Sequence, residues 1–426
     1  MSEIKDIPEH WEIIKLGDLC DKISNGANVK QSDDKIGFPI SRIETIWNET
    51  IDLNRVKYIA ENNAEFIEKY ALKRDDILFS HINSDLHLGK TAVYKDRPEI
   101  LIHGVNVLLI RLKKDVSTDF LNYQFKLKRS RGEFVKIAQK SVNQSSINQS
   151  KLKNVDFIVP PLSEQLAIVS KIEELLSELD NGKQQLQTAL QQLKVYRQSL
   201  LKWAFEGKLT HSNLKEGELP DGWKWVKFGE IFYGTPQNGL YKPSKDYGSG
   251  TPILRIDGFY SGIITHDYDY KRVRISKEEI QKYQLSINDI VVNRVNSMSH
   301  LGKCGLVKYL KEQTVFESNV MKVQIKNDLA LPSFITSYLA SLRGIKELTK
   351  NAKHAVNQAS INQTDVANSL IPLPSLEEQQ LIVDELESKL TICDNVEETI
   401  KLSLQQAETL RQSILKKAFE GKLITN

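Results

Sequence analysis

The strongest constraint on this chain is that it is written twice. "SVNQSSINQS" at 141–150 returns as "AVNQASINQT" at 355–364. "IPEHWEIIKLGDLC" (7–20) returns as "LPDGWKWVKFGEIF" (219–232), and "GFPISRIE" (37–44) as "GTPILRID" (250–257). "DILFSHINSDLHLGK" (76–90) is matched by "DIVVNRVNSMSHLGK" (289–303), and "RQSLLKWAFEGKL" (197–209) by "RQSILKKAFEGKL" (411–423). From residue 141 onward the copies run in parallel at a fixed offset of 214. Collinear matches on this scale mark two copies of one structural unit. The last third of each copy is closely matched, while the first two thirds keep only scattered anchors. That inequality predicts a shared frame carrying two different variable heads.

Each copy divides again. Around 10–150 and 220–364, short apolar runs such as "DILFS", "VNVLLIRL", "DIVVN" and "VMKVQI" are separated by Gly, Asn, Asp and Pro, a strand-and-turn signature. Helical stretches over 118–140 and 332–353 make each head mixed α/β. Over 162–206 and 376–420 the pattern changes to apolar residues at three- and four-residue spacing, one stripe on a long helix. Pro160 and Pro161, and Pro372 and Pro374, stand before these helices, and Gly207 and Gly421 follow them. Ser375 to Glu378 has the spacing of a capping box. Gly182 interrupts the first stripe at a cost of about 1 kcal/mol relative to alanine, but its counterpart is Val396, so a continuous helix is expected.

A helix over 162–206 reaches about 67 Å, too long for one narrow stripe to be buried in a small domain. The economical partner is the second helix, antiparallel to the first, which gives the molecule approximate two-fold symmetry. The expected class is α+β: two mixed α/β heads in tandem pseudo-repeat, with two long antiparallel helices forming a coiled coil. The boundaries drawn are 1–158 for the first head, 159–210 for the central helix, 211–372 for the second head and 373–426 for the C-terminal helix. Leu186, Leu190, Leu193, Leu200, Phe205, Ile400, Leu404, Leu410, Ile414 and Phe419 are the expected packing and docking residues on the helices.

Composition narrows the function classes. Hydrophobic content of 40% and charged content of 27% are those of a soluble folded protein. A net charge of +3 neither favours nor excludes a polyanionic partner, so local clustering must decide. The N-terminus lacks the basic and apolar regions of a signal peptide, and no stretch has the 18 or so apolar residues of a membrane helix. Cys20, Cys304 and Cys393 form neither a CxxC motif nor an even set, which points to a reducing compartment and a cytoplasmic location. "HLGKT" (87–91) resembles the end of a phosphate-binding loop, but Ser84 stands where its first glycine belongs and Cys304 replaces Thr91 in the second copy. A turn followed by a strand is expected there. His87 and His300 are the one equivalent histidine pair, and neither sits in a metal-binding cluster. No methyltransferase Asn/Asp-Pro-Pro-Tyr/Phe segment and no GxSxG elbow is present. No catalytic, metal or cofactor site is therefore expected in this chain.

Binding is a better prospect. "FKLKRSRGEFVKIAQK" (125–140) carries six Lys/Arg and one acid, and its counterpart (337–353) four and one, each leading into the amide-rich phrase. Lys128, Arg129, Arg131, Lys140, Arg343, Lys350 and Lys353 are thus candidate phosphate contacts, against the plainer reading of a solvated helix face. Arg42 and Arg255 follow a Gly-x-Pro turn and either brace the head or meet DNA. In "SHINS" and "NRVNS", Asn83/Asn296 and Ser84/Ser297 persist while His81 is exchanged for Arg294. Lys90 and Lys303 close the same segments. These residues either form a turn or read base edges; the sequence favours neither.

The two heads end in "INQ", followed by "PLSEQ" or "PSLEEQ" and a long helix closing in "RQS(L/I)LK-x-AFEGKL". This constellation, spanning essentially the whole chain, resembles the specificity subunit of bacterial type I restriction–modification systems. The resemblance implies that each head reads one half of a split double-stranded DNA target. The helices would set the spacer and dock two methyltransferase subunits, with two restriction/translocase subunits recruited for cleavage. S-adenosylmethionine, ATP and Mg²⁺ would then belong to those partners, and the chain would be non-catalytic. Half-sites about one helical turn (roughly 34–36 Å) apart suit the expected symmetry. The copies differ at Gly182/Val396 and Trp203/Lys417, so their docking faces need not be equivalent. The competing reading is a coiled-coil scaffold whose heads bind proteins or small ligands; a self-sufficient nuclease would require cleavage by the chain alone. The doubled phrase, shared by both heads, is expected to frame the reader rather than to read bases.

Overall fold

The structure, a computed structural model, describes residues 7–60, 63–142, 144–211, 214–215, 218–260, 262–265, 269–356 and 358–424. Asn143 and Asn357 of the doubled phrase, and residues 1–6 of the expected first head, lie outside the described residues. The chain forms two compact units, one of residues 1–186 with 401–426 and the other of residues 187–400. Each unit therefore holds one head, part of the first long helix and part of the second.

In the first unit, strand Glu12–Lys15 pairs antiparallel with Asp156–Val159, so the head opens and closes on neighbouring strands. Between them lies an antiparallel sheet in the order Cys20–Asn25, Leu108–Leu112, Ile77–Phe79, Thr91–Val93. Helix Thr118–Ser130, capped by the Ser117 hydroxyl, buries Leu121 and Phe125 against Phe79, Phe134 and Phe157. The second unit repeats the plan. Lys224–Lys227 pairs with Leu370–Leu373, and the sheet runs Gln237–Asn238, Val320–Val323, Ile290–Asn293, Cys304–Val307, with Ile263–Ile264 added in parallel at the edge. Both heads are mixed α/β, as the alternation of strand and helix signals predicts.

The long helices are continuous from Leu162 to Phe205 and from Leu376 to Phe419. In the first, Ile172, Leu179, Leu186, Leu193 and Leu200 follow at seven-residue spacing, and Val169, Leu176, Lys183, Leu190, Arg197 and Ala204 form a second such row. All are buried or half-buried, which is the seam of a coiled coil. The two charged members pair across the seam, Lys183 with Glu408 in the first unit and Arg197 with Asp394 (2.7 Å) and Glu397 (3.2 Å) in the second. Asp180 meets Arg411 beside Lys183–Glu408, so the helices run antiparallel in the first unit. The same follows in the second unit, where Arg197 meets Asp394 while Thr210 and His211 meet Glu378.

Ile400 and Ile414 are buried in the second helix's seam with Leu386, Cys393 and Ala407, while Leu404 is half-buried. Leu410 is 51% exposed, because the seam repeats every seven residues and passes through Arg411 rather than Leu410. The capping box is half formed. Ser375 Oγ accepts from Glu378 N–H (3.3 Å), but the Glu378 carboxylate turns to Thr210 and His211. Both helices end on a left-handed glycine, Gly207 (φ +73°) and Gly421 (φ +70°), where Lys208 N–H reaches Trp203 O and Lys422 N–H reaches Lys417 O. The preceding phenylalanines are buried in the heads: Phe419 packs edge-on to Phe120 in the first unit, and Phe205 to Phe334 and Tyr338 in the second. Among the described residues no helix is long and apolar enough to cross a membrane.

Candidate nucleic-acid interface

"SHINSDLHLGK" and "NRVNSMSHLGK" fold into one backbone turn, hydrogen bond for hydrogen bond. Ser84 O accepts from His87 and Leu88 N–H, Ser80 O from Gly89 N–H, and Ser80 N–H donates to Lys90 O. In the second head Ser297 O accepts from His300 and Leu301, Asn293 O from Gly302, and Asn293 N–H donates to Lys303 O. Gly89 (φ +77°) and Gly302 (φ +76°) supply the left-handed step that lets the chain reverse into the next strand. The "HLGKT" segment is thus a turn followed by a strand.

The doubled phrase is the second wall of this site. In the first head Gln139–Lys140 and Ser145–Ser146 form a hairpin whose second strand pairs with Ile82–Asn83, placing Lys140 beside Ser145 and Ser145 beside Asn83. In the second, Lys353–Ala355 and Gln358–Ser360 do the same against Val295–Asn296. Ile147 N–H donates to His81 O and Ile361 N–H to Arg294 O, while Asn148 and Asn362 cap the short helices that follow. The phrase frames the turn.

The candidates divide accordingly. His81, Asn83, Ser84, Lys90 and Lys140 come together in the first head, and Arg294, Asn296, Ser297, Lys303 and Lys353 in the second. Asn83 Oδ1 accepts from Ser84 N–H and Asn296 Oδ1 from Ser297 N–H, so each asparagine builds the turn with its oxygen. Asn83 Nδ2 donates to Ser80 Oγ; Asn296 Nδ2, where the Ser80 position is Asn293, has no partner among the described residues. His81 is buried, which pushes its pKa down to about 4 and leaves it uncharged at neutral pH. Lys140 pairs with Asp85 at 3.2 Å and stays well exposed. Arg129 reaches Leu86 O, at the turn's outer edge.

Other candidates lie elsewhere. Lys128 is buried and paired with Glu133 (2.9 Å), and Arg131 lines with it a cleft of about 1160 Å³ bounded by Lys136, Lys151 and Lys416. Arg42 pairs with Glu44, and Arg255 with the buried Glu317 (3.1 Å), a bracing arrangement. Arg343 stacks on Trp225 at 4.1 Å beside the first long helix, and Lys350 pairs with Glu347.

Two aromatic residues join the site unannounced. Trp47, 43% exposed, has Lys90 Nζ 5.8 Å and Arg55 Cζ 3.7 Å from its ring centre. Tyr260, 46% exposed, has Lys303 Nζ at 4.6 Å. Their spacing in the sequence equals that of Lys90 and Lys303, and each stands three residues after the matched segments GFPISRIE and GTPILRID, a signal by which the pair could be found. Buried polar atoms without a partner among the described residues also gather here: Nδ1 of His81 and His87, Nε of Arg129 and Arg294, the Asn293 amide and Asn296 Nδ2.

The family described as "Type I restriction modification DNA specificity domain" matches residues 8–191 and 220–406. A relative in Methanocaldococcus jannaschii, described as a type I restriction enzyme MjaX specificity subunit, is 32% identical over 99% of this chain and 96% of its own length. The EcoKI specificity subunit of Escherichia coli K12 is 26% identical over 98% of this chain and 90% of its own. Two solved structures share the fold. A chain from a study of complex assembly and conformational transition in a type I R-M system has TM-score 0.72 at 20% identity, covering 98% of this chain and 99% of that one. The HsdS subunit from Thermoanaerobacter tengcongensis has TM-score 0.60 at 19% identity, covering 98% of each.

Proposed function

Since the chain belongs to the type I restriction–modification DNA specificity family, we propose that each head reads one half of a bipartite, asymmetric double-stranded DNA target. One observation carries this reading. The turns at 80–90 and 293–303 share a backbone and its hydrogen bonds, yet their exposed tips differ, Asp85–Leu86 in one head and Met298–Ser299 in the other. A constant frame with an exchanged tip suits two readers of different half-sites, since acidic, hydroxyl and apolar side chains meet different base edges. Lys90, Lys140, Lys303 and Lys353 supply the charge that positions the duplex.

In this reading residues 1–158 and 211–372 are the recognition domains, and 159–210 and 373–426 the helices that set the spacer. Outward apolar side chains, Val195, Tyr196 and Trp203 on the first helix and Leu402 and Leu410 on the second, are exposed where methyltransferase subunits would dock. The chain is non-catalytic and works in the cytoplasm. Two methyltransferase subunits bring S-adenosylmethionine, and two restriction subunits bring ATP and Mg²⁺. Mapping methylated adenines in cells co-expressing the chain with its methyltransferase tests this. The expected result is one asymmetric split sequence; methylation without a fixed sequence would overturn it. Inserting four residues into both helices at matched positions should lengthen the spacer and leave the half-sites unchanged.

A further inference from the structure

One arrangement recurs in both heads. Trp47 and Tyr260 occupy equivalent positions, each half-exposed, and each carries the equivalent lysine against its ring. The rings are held rather than loose. Trp47 ends a strand whose two-residue turn, Asn48–Glu49, has both φ positive, and Thr50 Oγ1 donates to Trp47 O (2.9 Å). Tyr260 lies 5.0 Å from the His300 ring, whose Nδ1 meets Ser299 Oγ at 2.9 Å. Each lysine closes the reader turn through its carbonyl, so ring and turn belong to one surface.

Cations outnumber acids around Trp47. Lys90, Arg55, Lys126 and Arg129 gather there, with Asp52 pairing Arg55 (3.0 Å) and Glu49 pairing Lys126 (3.0 Å) and Arg129 (3.6 Å). Burial, then Arg129, lowers the Lys90 pKa, and Arg55 adds to it while Glu49 opposes. A phosphate would relieve that crowding. The two rings also differ in chemistry: an indole N–H only donates, whereas a phenol both donates and accepts. A constant cation beside a varied ring repeats the division between positioning contacts and reading contacts.

We infer that Trp47–Lys90 and Tyr260–Lys303 are equivalent DNA-contact stations, in each of which the lysine takes a phosphate oxygen and the ring packs against the neighbouring base edges. The aromatic position is thereby a specificity determinant of its half-site. The inference rests on the function proposed above and adds residues to it.

The test uses the chain assembled with its methyltransferase subunits and duplexes randomised across both half-sites. Trp47→Ala should weaken binding about tenfold, the scale of one mismatched base pair, and relax the selected sequence only in the half-site of the first head. Tyr260→Ala should do so only in the other half-site. Trp47→Phe, which keeps the packing, should fold normally and still relax the preference. Lys90→Gln should weaken cognate and mismatched duplexes by the same factor and reduce the salt slope by about one ion's worth. If the ring variants melt earlier but select the original sequence in both half-sites, the stacks are only stabilising and the inference fails. If the unsubstituted complex selects no sequence at all, the proposed function fails first.

Discussion

The buried amide of Gln165 accepts a 2.8 Å hydrogen bond from the backbone N–H of Ser117. Its Nε2 donates to Pro160 O, also at 2.8 Å. Gln379 repeats the arrangement, accepting from Leu331 N–H (2.8 Å) and donating to Pro374 O (3.0 Å). Ser117 and Leu331 each precede a helix of the head. One glutamine of the "PLSEQ" or "PSLEEQ" motif thus fastens the first turn of a long helix to the recognition domain beside it.

Gln165→Ala and Gln379→Ala should each destabilise by about 1–3 kcal/mol, because the backbone partners are left buried and unpaired. Gln165→Glu should not restore stability, since a carboxylate cannot donate to Pro160 O. Denaturant titration of the three variants checks both expectations.

Gly182→Ala should stabilise by about 1 kcal/mol. The position is mid-helix, and a Cβ there meets nothing within 4 Å. A higher melting temperature is the expected result; a lower one would mean that the helix needs glycine there.

Phe205→Ala and Phe419→Ala should each cost about 3–5 kcal/mol, the scale for a fully buried aromatic. Arg197→Ala, which removes a half-buried guanidinium from two acids of which Asp394 stays solvent-exposed, should cost less, about 1 kcal/mol. Melting curves of the three would show whether the helices are held chiefly by their ends.

Acid should weaken the first unit. Burial pushes the His103 pKa down to about 4, with its ring 2.8 Å from Val107 O and with Lys22, His81 and Arg111 nearby. His81 is shifted equally far by burial. An unfolded histidine titrates near 6.5. Above that pH both states are neutral and nothing changes. As pH falls from about 6.5 to about 4 the unfolded chain takes up protons that the fold refuses, and stability drops by about 1.4 kcal/mol per pH unit for each histidine. His103→Gln should about halve the pH dependence of the melting temperature in this window, leaving the His81 share.

How far the amino-acid sequence announces the structure depends on what holds each part. The repeat and the helical stripe predict the tandem heads and the antiparallel seam, because both are local patterns seen twice. Gly207 and Gly421 mark the helix ends for the same reason. Lys128 shows where local pattern stops: it lies in a basic run, yet the fold buries it against Glu133 and Phe157. Leu410 fits a 3.6-residue stripe but misses the seven-residue seam that supercoiling imposes. Trp47 and Tyr260 come to Lys90 and Lys303 across dozens of residues, and only tertiary pairing brings them there.

Each head begins and ends in two strands that lie side by side, Glu12–Lys15 with Asp156–Val159 and Lys224–Lys227 with Leu370–Leu373. Both leads of the head therefore emerge at one socket. Segments between them that do not hold the helices, as Ser117, Phe120, Leu331 and Phe334 do, are therefore free to differ in sequence and length between the two heads. On the function proposed above, the strand pair would make each head a cassette, exchangeable as one piece while the helices keep their course.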